Sequence, residues 1–193
     1  MKNEEIIKII KKGGIGFLPT DTIYGLVGSA FSQEAVERIY HTKNRDPKKP
    51  FIVLISSLKD LEKFGHSLTA EEKAWLSKVW PGKVSIILSL PASHQKEFKY
   101  LHRGTKALAF RLPKKKALLE ILKKTGPLVA PSANPEGAPP FEGLREAKDY
   151  FGSQLDFYVS AGKRLGGAPS TLVKLDQGQI SIIRQGAVKI AKN

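Results

Sequence analysis

Apolar residues recur along the chain at two spacings, near 3.6 and near 2, and the switches between them mark out helices and strands. Ile6, Ile9 and Ile10 fall on one face after Asn3, a suitable cap, and Gly13 stops that helix. The apolar run 15–18 predicts a strand entering a loop at 19–25, and a second strand follows near 26–30. Ser32 is placed to cap a helix whose Val36, Ile39, Tyr40 and Lys43 share a face, which delivers Lys43 to its C-terminal end. KNRDPKKP is polar and proline-bearing, hence a loop before a buried strand at 51–55.

Ser57 with Asp60 and Thr69 with Glu72 predict capping boxes that open helices ending near Gly65 and Pro81. Trp75, Leu76 and Val79 turn the second of these toward the core. Runs at 83–90 and 106–111 read as strands, and Pro113 suits the first position of a helix ending before Gly126. The apolar stretch 128–130 leads into the small-polar loop PSANPEGAPP, and a helix near 142–150 precedes strands at 157–160, 171–175 and 179–184. Alternating helices and strands predict an α/β protein, a single domain over 1–193, with helices packed on a twisted mixed sheet.

Composition narrows the possibilities. A 41% apolar fraction over 193 residues suffices for one core, burying roughly 70% of the unfolded surface. The absence of cysteine removes a thiol nucleophile, a thiolate zinc site, an iron–sulfur cluster and a disulfide scaffold. The longest apolar runs, such as FIVLI, fall far short of the ~20 residues that cross a bilayer, and the charged N-terminus has no signal-like apolar core. The expectation is a soluble cytoplasmic protein without a membrane partner. The formal charge is +14, and +8 of it lies between Lys96 and Lys124, where ten Lys and Arg face only Glu97 and Glu120. That segment reads either as a solvated face or as a footprint for a polyanion such as RNA.

Familiar nucleotide signatures are missing. Gly82-Lys83 and Gly162-Lys163 lack the hydroxyl residue of a P-loop, and GGIGFLP breaks the dinucleotide fingerprint at Pro19. The four histidines have no metal-ligand spacing. What remains is a set of loop clusters at strand and helix ends. In PTDTIYG, Thr20 and Thr22 can fix a small polar ligand, while Asp21 can accept from an ammonium or help seat a metal through water. Lys43, Arg45, Lys48 and Lys49 suit a polyphosphate, and Ser132 with Asn134 supplies compact donors. Ser170, Thr171 and Arg184 stand at strand ends, where open α/β sheets bind ligands. Taken alone, PTDTIYG and PSAN are also ordinary capped turns, and the Lys43–Arg45 cluster is also a solvated helix C-terminus.

Taken in order, PTDTIYGL, KNR followed by KPF, FRLP, PSAN, PSTLV and RQGA resemble the motif series of the YrdC-like family, specifically the threonylcarbamoyl-AMP synthases, from about Gly14 to Val188. The resemblance implies a YrdC-like fold around a basic central cavity. It implies condensation of L-threonine, bicarbonate or CO2, and ATP into threonylcarbamoyl-AMP and pyrophosphate, for the threonylcarbamoyladenosine modification of tRNA by a downstream transferase. The family tetrad falls on Lys43, Arg45, Ser132 and Asn134 as catalytic residues. These also bind ATP, with Lys49 and Arg184, while Thr22, Arg111 and Ser170 contact threonine and Mg2+ comes with the ATP phosphates. Lys43 and Arg45, as helix-end and loop residues, should tolerate alanine without much loss of fold.

The chain departs from the family pattern at Asp46, which follows Arg45 where proline is usual, and at Leu54, Pro140 and Lys174. It stops soon after RQGA, without the further domain of longer members. Two alternatives share the fold: a non-catalytic RNA-binding module, which the intact tetrad argues against, and a carbamoyl-transfer domain, which elsewhere sits in longer chains with cysteine-rich fingers.

Overall fold

The computed structural model of the chain describes every residue except Lys163, Arg164, Gly166, Gln177 and 191–193. The Gly162-Lys163 pair weighed above therefore lies partly outside the described residues. In chain order the elements are α1 (Asn3–Lys11), β1 (Gly16–Pro19), β2 (Tyr24–Ser29), α2 (Gln33–Lys43), β3 (Ile52–Leu54), a 3-10 helix (Leu58–Phe64), α3 (Ala70–Val79) and β4 (Val84–Ser89). They continue with α4 (Ala92–Gln95), α5 (Lys99–His102), β5 (Ala107–Arg111), α6 (Lys116–Thr125), β6 (Leu128–Val129) and α7 (Leu144–Phe151). A 3-10 turn (Gly152–Gln154), β7 (Phe157–Tyr158), β8 (Thr171–Asp176) and β9 (Gln179–Arg184) complete the chain. The strands form one mixed sheet in the order β7-β1-β2-β6-β3-β5-β4-β8-β9, parallel at β1/β7, β3/β5 and β4/β8 and antiparallel elsewhere.

Successive side chains of a strand point to opposite faces, and here they enter two separate cores. Phe17, Leu26, Val53 and Val129 join one cluster with Ala35, Val36 and Ile39 of α2, Leu76 of α3 and Phe151 of α7. Their neighbours Leu18, Val27, Leu54 and Leu128 join another with Ile6 and Ile10 of α1 and Leu118, Ile121 and Leu122 of α6. Helix α2 packs closely because β2 carries Gly28, where a Cβ would come within 3.0 Å of Ile15 Cγ2 and 3.2 Å of Ile39 Cδ1. Register shows what α1 and α6 leave uncovered. Ile52 pairs with Ala109 and Leu54 with Arg111, Ile87 faces Ala109, Ser85 faces Leu172, and Leu172 faces Arg184. Partners across a ladder share a face, so the Ile52–Ala109–Ile87 row continues the α1/α6 face, and there it lines a cavity instead of a core.

Several local expectations are corrected. Ser57 makes no capping box; Asp60 accepts instead from Ser56 N (2.8 Å) and Ser56 Oγ (2.7 Å), and the segment is a 3-10 helix. Asn3 is inside α1 rather than its cap, and its amide donates to Glu120 of α6. Helix α6 starts at Lys116, three residues beyond Pro113, because Lys114 N and Lys115 Nζ are drawn to Asp21 Oδ2 and Pro19 O. Tyr24 and Gly25 are strand rather than turn, since β2 pairs back to Pro19. The strand expected at 157–160 pairs only over Phe157–Tyr158, and the short helices α4 and α5 carry too little periodicity to be read in sequence. The Ser32 cap and the Thr69/Glu72 box form as expected. Among the described residues no helix is long and apolar enough to cross a membrane.

Leu122 is fully buried between α6 and the sheet. Leu122→Ala should cost about 2–5 kcal/mol of unfolding free energy, read from the denaturation midpoint at unchanged slope.

Candidate active site

The uncovered part of the sheet floors a cavity of about 330 Å³, within the range of small-molecule sites. Its floor is apolar and small, with Ile52, Ile87, Ala107, Ala109 and Leu172; Ala107 and Ala109 leave room while Leu108 and Phe110, on the opposite face, fill the core. Among the described residues the lining holds three guanidiniums, Arg45, Arg111 and Arg184, and no carboxylate. Register separates them along the strands. Arg111 and Arg184 stand toward one end, with Ser85 and Ser170, while Arg45, Pro50, Phe51 and Thr105 stand toward the other.

At the first end the PTDT loop closes on itself: Thr20 Oγ1 donates to Ile23 O (2.6 Å), accepts from Thr22 N (3.1 Å) and lies 3.0 Å from Thr22 Oγ1. Asp21 does not face a ligand. Its carboxylate forms an ion pair with Arg111 Nη1 and accepts from Lys114 N (3.1 Å), with side chains only 5% and 8% exposed for Arg111 and Asp21. The loop after β1 is thereby clamped to the end of β5. Burial lowers the Arg111 pKa while Asp21 raises it, and Arg111 Nε is left buried without a partner among the described residues.

The tetrad residues come together, but in two layers. Asn44 in the left-handed region (φ 47°) ends α2, turning Arg45 into the cavity and leaving Lys43 inside at 1% exposure. Lys43 Nζ donates to Ser132 O (2.5 Å), Asn134 O (2.6 Å) and Asn134 Oδ1 (3.1 Å). Asn134 Oδ1 also accepts from Ser132 Oγ (2.6 Å), and Asn134 Nδ2 donates to Ala138 O (2.5 Å). Ser132 and Arg45 line the cavity; Lys43 and Asn134 stand behind that wall. Burial, joined by Arg45, brings Lys43 down to about 7 against the pull of Glu136. Three oxygens match the three donors of an ammonium, so the proton is held up to neutrality. Because this side chain is buried, the expectation that Lys43→Ala would spare the fold is corrected.

Lys49, expected on ATP, is paired with Glu136 Oε1 (2.5 Å), whose other oxygen accepts from Asp46 N (2.6 Å). To reach a phosphate it must release Glu136. Asp46, the departure from the family pattern, thus uses its backbone to join the two loops. Ser170 Oγ lies 2.7 Å from Ser85 Oγ, and its carbonyl accepts from Arg184 Nη2 (2.9 Å). The turn after β9 sits tightly on this strand: a Cβ at Gly186 would fall 2.3 Å from Pro169 O, and Thr171 Oγ1 accepts from Gly186 N (2.9 Å). Arg45 and Arg184 have no carboxylate within ion-pair distance among the described residues.

Of the residues singled out in the sequence, Thr22, Arg45, Arg111, Ser132, Ser170 and Arg184 line one cavity; Lys43, Lys49 and Asn134 support its wall. Sequence reasoning missed Glu136, the Ser85 partner of Ser170 and the apolar floor. Alternation in β5 could have marked Ala107 and Ala109, but no spacing links Glu136 to Asp46 across the fold. Among the described residues no three His, Asp or Glu side chains cluster to hold a metal.

Comparison with known proteins identifies the family and the fold. The family model described as "Telomere recombination" (Sua5/YciO/YrdC) matches residues 8–186. The chain is 29% identical over 177 residues to the threonylcarbamoyl-AMP synthase of Cellvibrio japonicus, covering 89% of this chain and 90% of that one. It is 28% identical over 183 residues to the threonylcarbamoyl-AMP synthase of Pyrococcus abyssi, covering 94% of this chain and 53% of the longer relative. The crystal structure of Pyrococcus abyssi Sua5 complexed with L-threonine superposes with a TM-score of 0.85 at 25% identity, over 95% of this chain and 54% of that one.

Two outcomes test the buried charges. Asp21→Asn, which strands the Arg111 charge, should cost about 3–5 kcal/mol, and Arg111→Met combined with it should recover part of that loss in a double-mutant cycle. Lys43 holds its proton less tightly folded than unfolded, so the unfolded chain binds the extra proton between about pH 7 and 10 and stability rises with pH across that window. Denaturation of wild type and Lys43→Met at about pH 6.5 and pH 9 should show a larger rise in wild type than in the variant.

Proposed function

The chain belongs to the Sua5/YciO/YrdC family, and from that premise we propose that it is a threonylcarbamoyl-AMP synthase. The observation that carries the reading is one cavity into which six segments bring Thr22, Arg45, Arg111, Ser132, Ser170 and Arg184, with no carboxylate in its lining. The substrates are L-threonine, bicarbonate or CO2, and ATP. The threonine amine and CO2 form a carbamate with loss of a proton; a carbamate oxygen then attacks the α-phosphorus and pyrophosphate leaves.

Both reactants are anions, so cations must offset their repulsion and the charge growing on the leaving group. Arg45 and Arg184, without a carboxylate partner among the described residues, do this for the phosphates. Arg111, half-neutralised by Asp21, orients the threonine carboxylate beside the Thr22 and Ser170 hydroxyls. Lys43 acts through Ser132 and Asn134, holding both carbonyls so that the Ser132 side chain stays on the wall. Mg2+ enters as part of the substrate, bound to ATP oxygens. No side-chain nucleophile takes part, and rate comes from positioning and electrostatics. The product passes, in the cytoplasm, to a transferase acting on tRNA.

The purified protein with Mg2+ and ATP should release pyrophosphate only when threonine and bicarbonate are both present; release indifferent to threonine would refute the reading. Arg45→Ala should lower turnover at least ~100-fold, as the loss of a transition-state cation does, with the melting temperature nearly unchanged because the side chain lies in the cavity wall.

A further inference from the structure

Arg103 lies within the basic stretch whose role the sequence left open, yet its side chain is only 15% exposed. Its guanidinium carbon stands 4.1 Å from the centroid of Tyr40. Tyr40 stacks on Phe51, with centroids 4.0 Å apart and planes 20° apart, and the Arg45 guanidinium caps the stack 5.6 Å from the Phe51 centroid. The column therefore runs Arg103, Tyr40, Phe51, Arg45, from the outside of α2 to the cavity. Its two sides are tied at one atom: Lys49 O accepts from Tyr40 Oη (3.0 Å) and from Arg45 Nε (3.2 Å).

Arg103 is itself held. Nη2 pairs with Glu37 Oε1 at 2.8 Å, one turn before Tyr40 on the same helix. Its Nε is buried with no partner among the described residues, so the ring below and Glu37 determine where the plane lies. Its backbone is in the left-handed region (φ 51°), which a long side chain seldom adopts. A surface arginine needed only for solubility would require none of this. Cation–ring contacts are attractive and strengthen when water is excluded, and a ring pinned from one side offers a fixed platform to the other.

We propose that Arg103 is a positioning residue for Arg45, acting through Tyr40 and Phe51 to hold the Arg45 guanidinium where it meets the phosphates of a nucleoside triphosphate. This rests on the function proposed above. Of the Lys96–Lys124 segment, Arg103 thus serves the phosphate end of the cavity, while Arg111 serves the other end. Removing Arg103 should weaken ATP and leave threonine untouched, because among the described residues Thr22, Ser170 and Arg111 bond to Thr20, Ser85 and Asp21 rather than to the column.

The test combines calorimetric binding of Mg-ATP, without threonine, and steady-state pyrophosphate release for wild type, Arg103→Met, Arg103→Lys and Tyr40→Phe. Arg103→Met should raise both the ATP Kd and the ATP KM roughly tenfold, with the threonine KM within about twofold. Arg103→Lys, which keeps a cation over the ring, should recover part of the loss. Arg103→Met and Arg45→Ala should be non-additive in ATP affinity. A folded Arg103→Met with wild-type ATP affinity, or with ATP and threonine KM rising together, would overturn the proposal. Should Arg103→Met not fold, Tyr40→Phe decides: it keeps the ring but loses the hydroxyl that meets both Arg103 and Lys49 O, and unchanged ATP affinity in it would likewise overturn the proposal. Wild type that binds ATP but yields no threonine-dependent pyrophosphate would refute the synthase reading, with the calorimetry still deciding on Arg103. Failure of wild type to bind ATP would overturn both.

Discussion

The buried ammonium of Lys43 is the constraint on which the cavity depends. Three oxygens from two residues of one loop converge on it, and a charge this deep is tolerated only because each donor is used. The consequence is geometric. The end of α2 is fixed to the loop after β6, and that loop is also held to β2, where Ala133 N donates to Tyr24 O (2.9 Å) and Leu26 N to Pro131 O (3.0 Å). Arg45 and Ser132, neighbours of these bonds in sequence, then have little freedom to face anywhere but the cavity.

The opposite end follows the same logic with a different pair. Asp21 holds Arg111, so one guanidinium of the cavity is offset within the protein while two are not. A guanidinium without a carboxylate partner is better suited to a phosphate oxygen than one already paired within the protein. The two ends also differ in how they are built. The Arg111 end is clamped by an ion pair and hydroxyls, and the Arg45 end rests on stacked rings.

The basic stretch from Lys96 to Lys124 dissolves into separate functions once folded. Arg103 and Arg111 turn inward, Lys115 is half-buried against Pro19 O, and Lys96, Lys99, Lys106, Lys114, Lys116, Lys123 and Lys124 remain exposed. A linear charge count could not separate these groups, because burial depends on which strand or helix face a residue occupies and what packs over it. The same limit applied to Asp60: Ser57 had the right spacing for a capping box, but Ser56 supplied better-placed donors.

The order of the longer elements and the motif residues were legible in the sequence, because periodicity, caps and the small-polar loops are local properties set by a few neighbouring residues. Only the tertiary structure decided that Lys43 and Asn134 support the wall, that Asp21 answers Arg111 rather than a ligand, that Glu136 occupies Lys49, and that Arg103 stands behind Arg45. Those assignments join residues from about 60 to more than 90 positions apart. The physical reason is that a long-range partner is chosen by distance and desolvation in the folded chain, quantities to which spacing along the sequence carries no information.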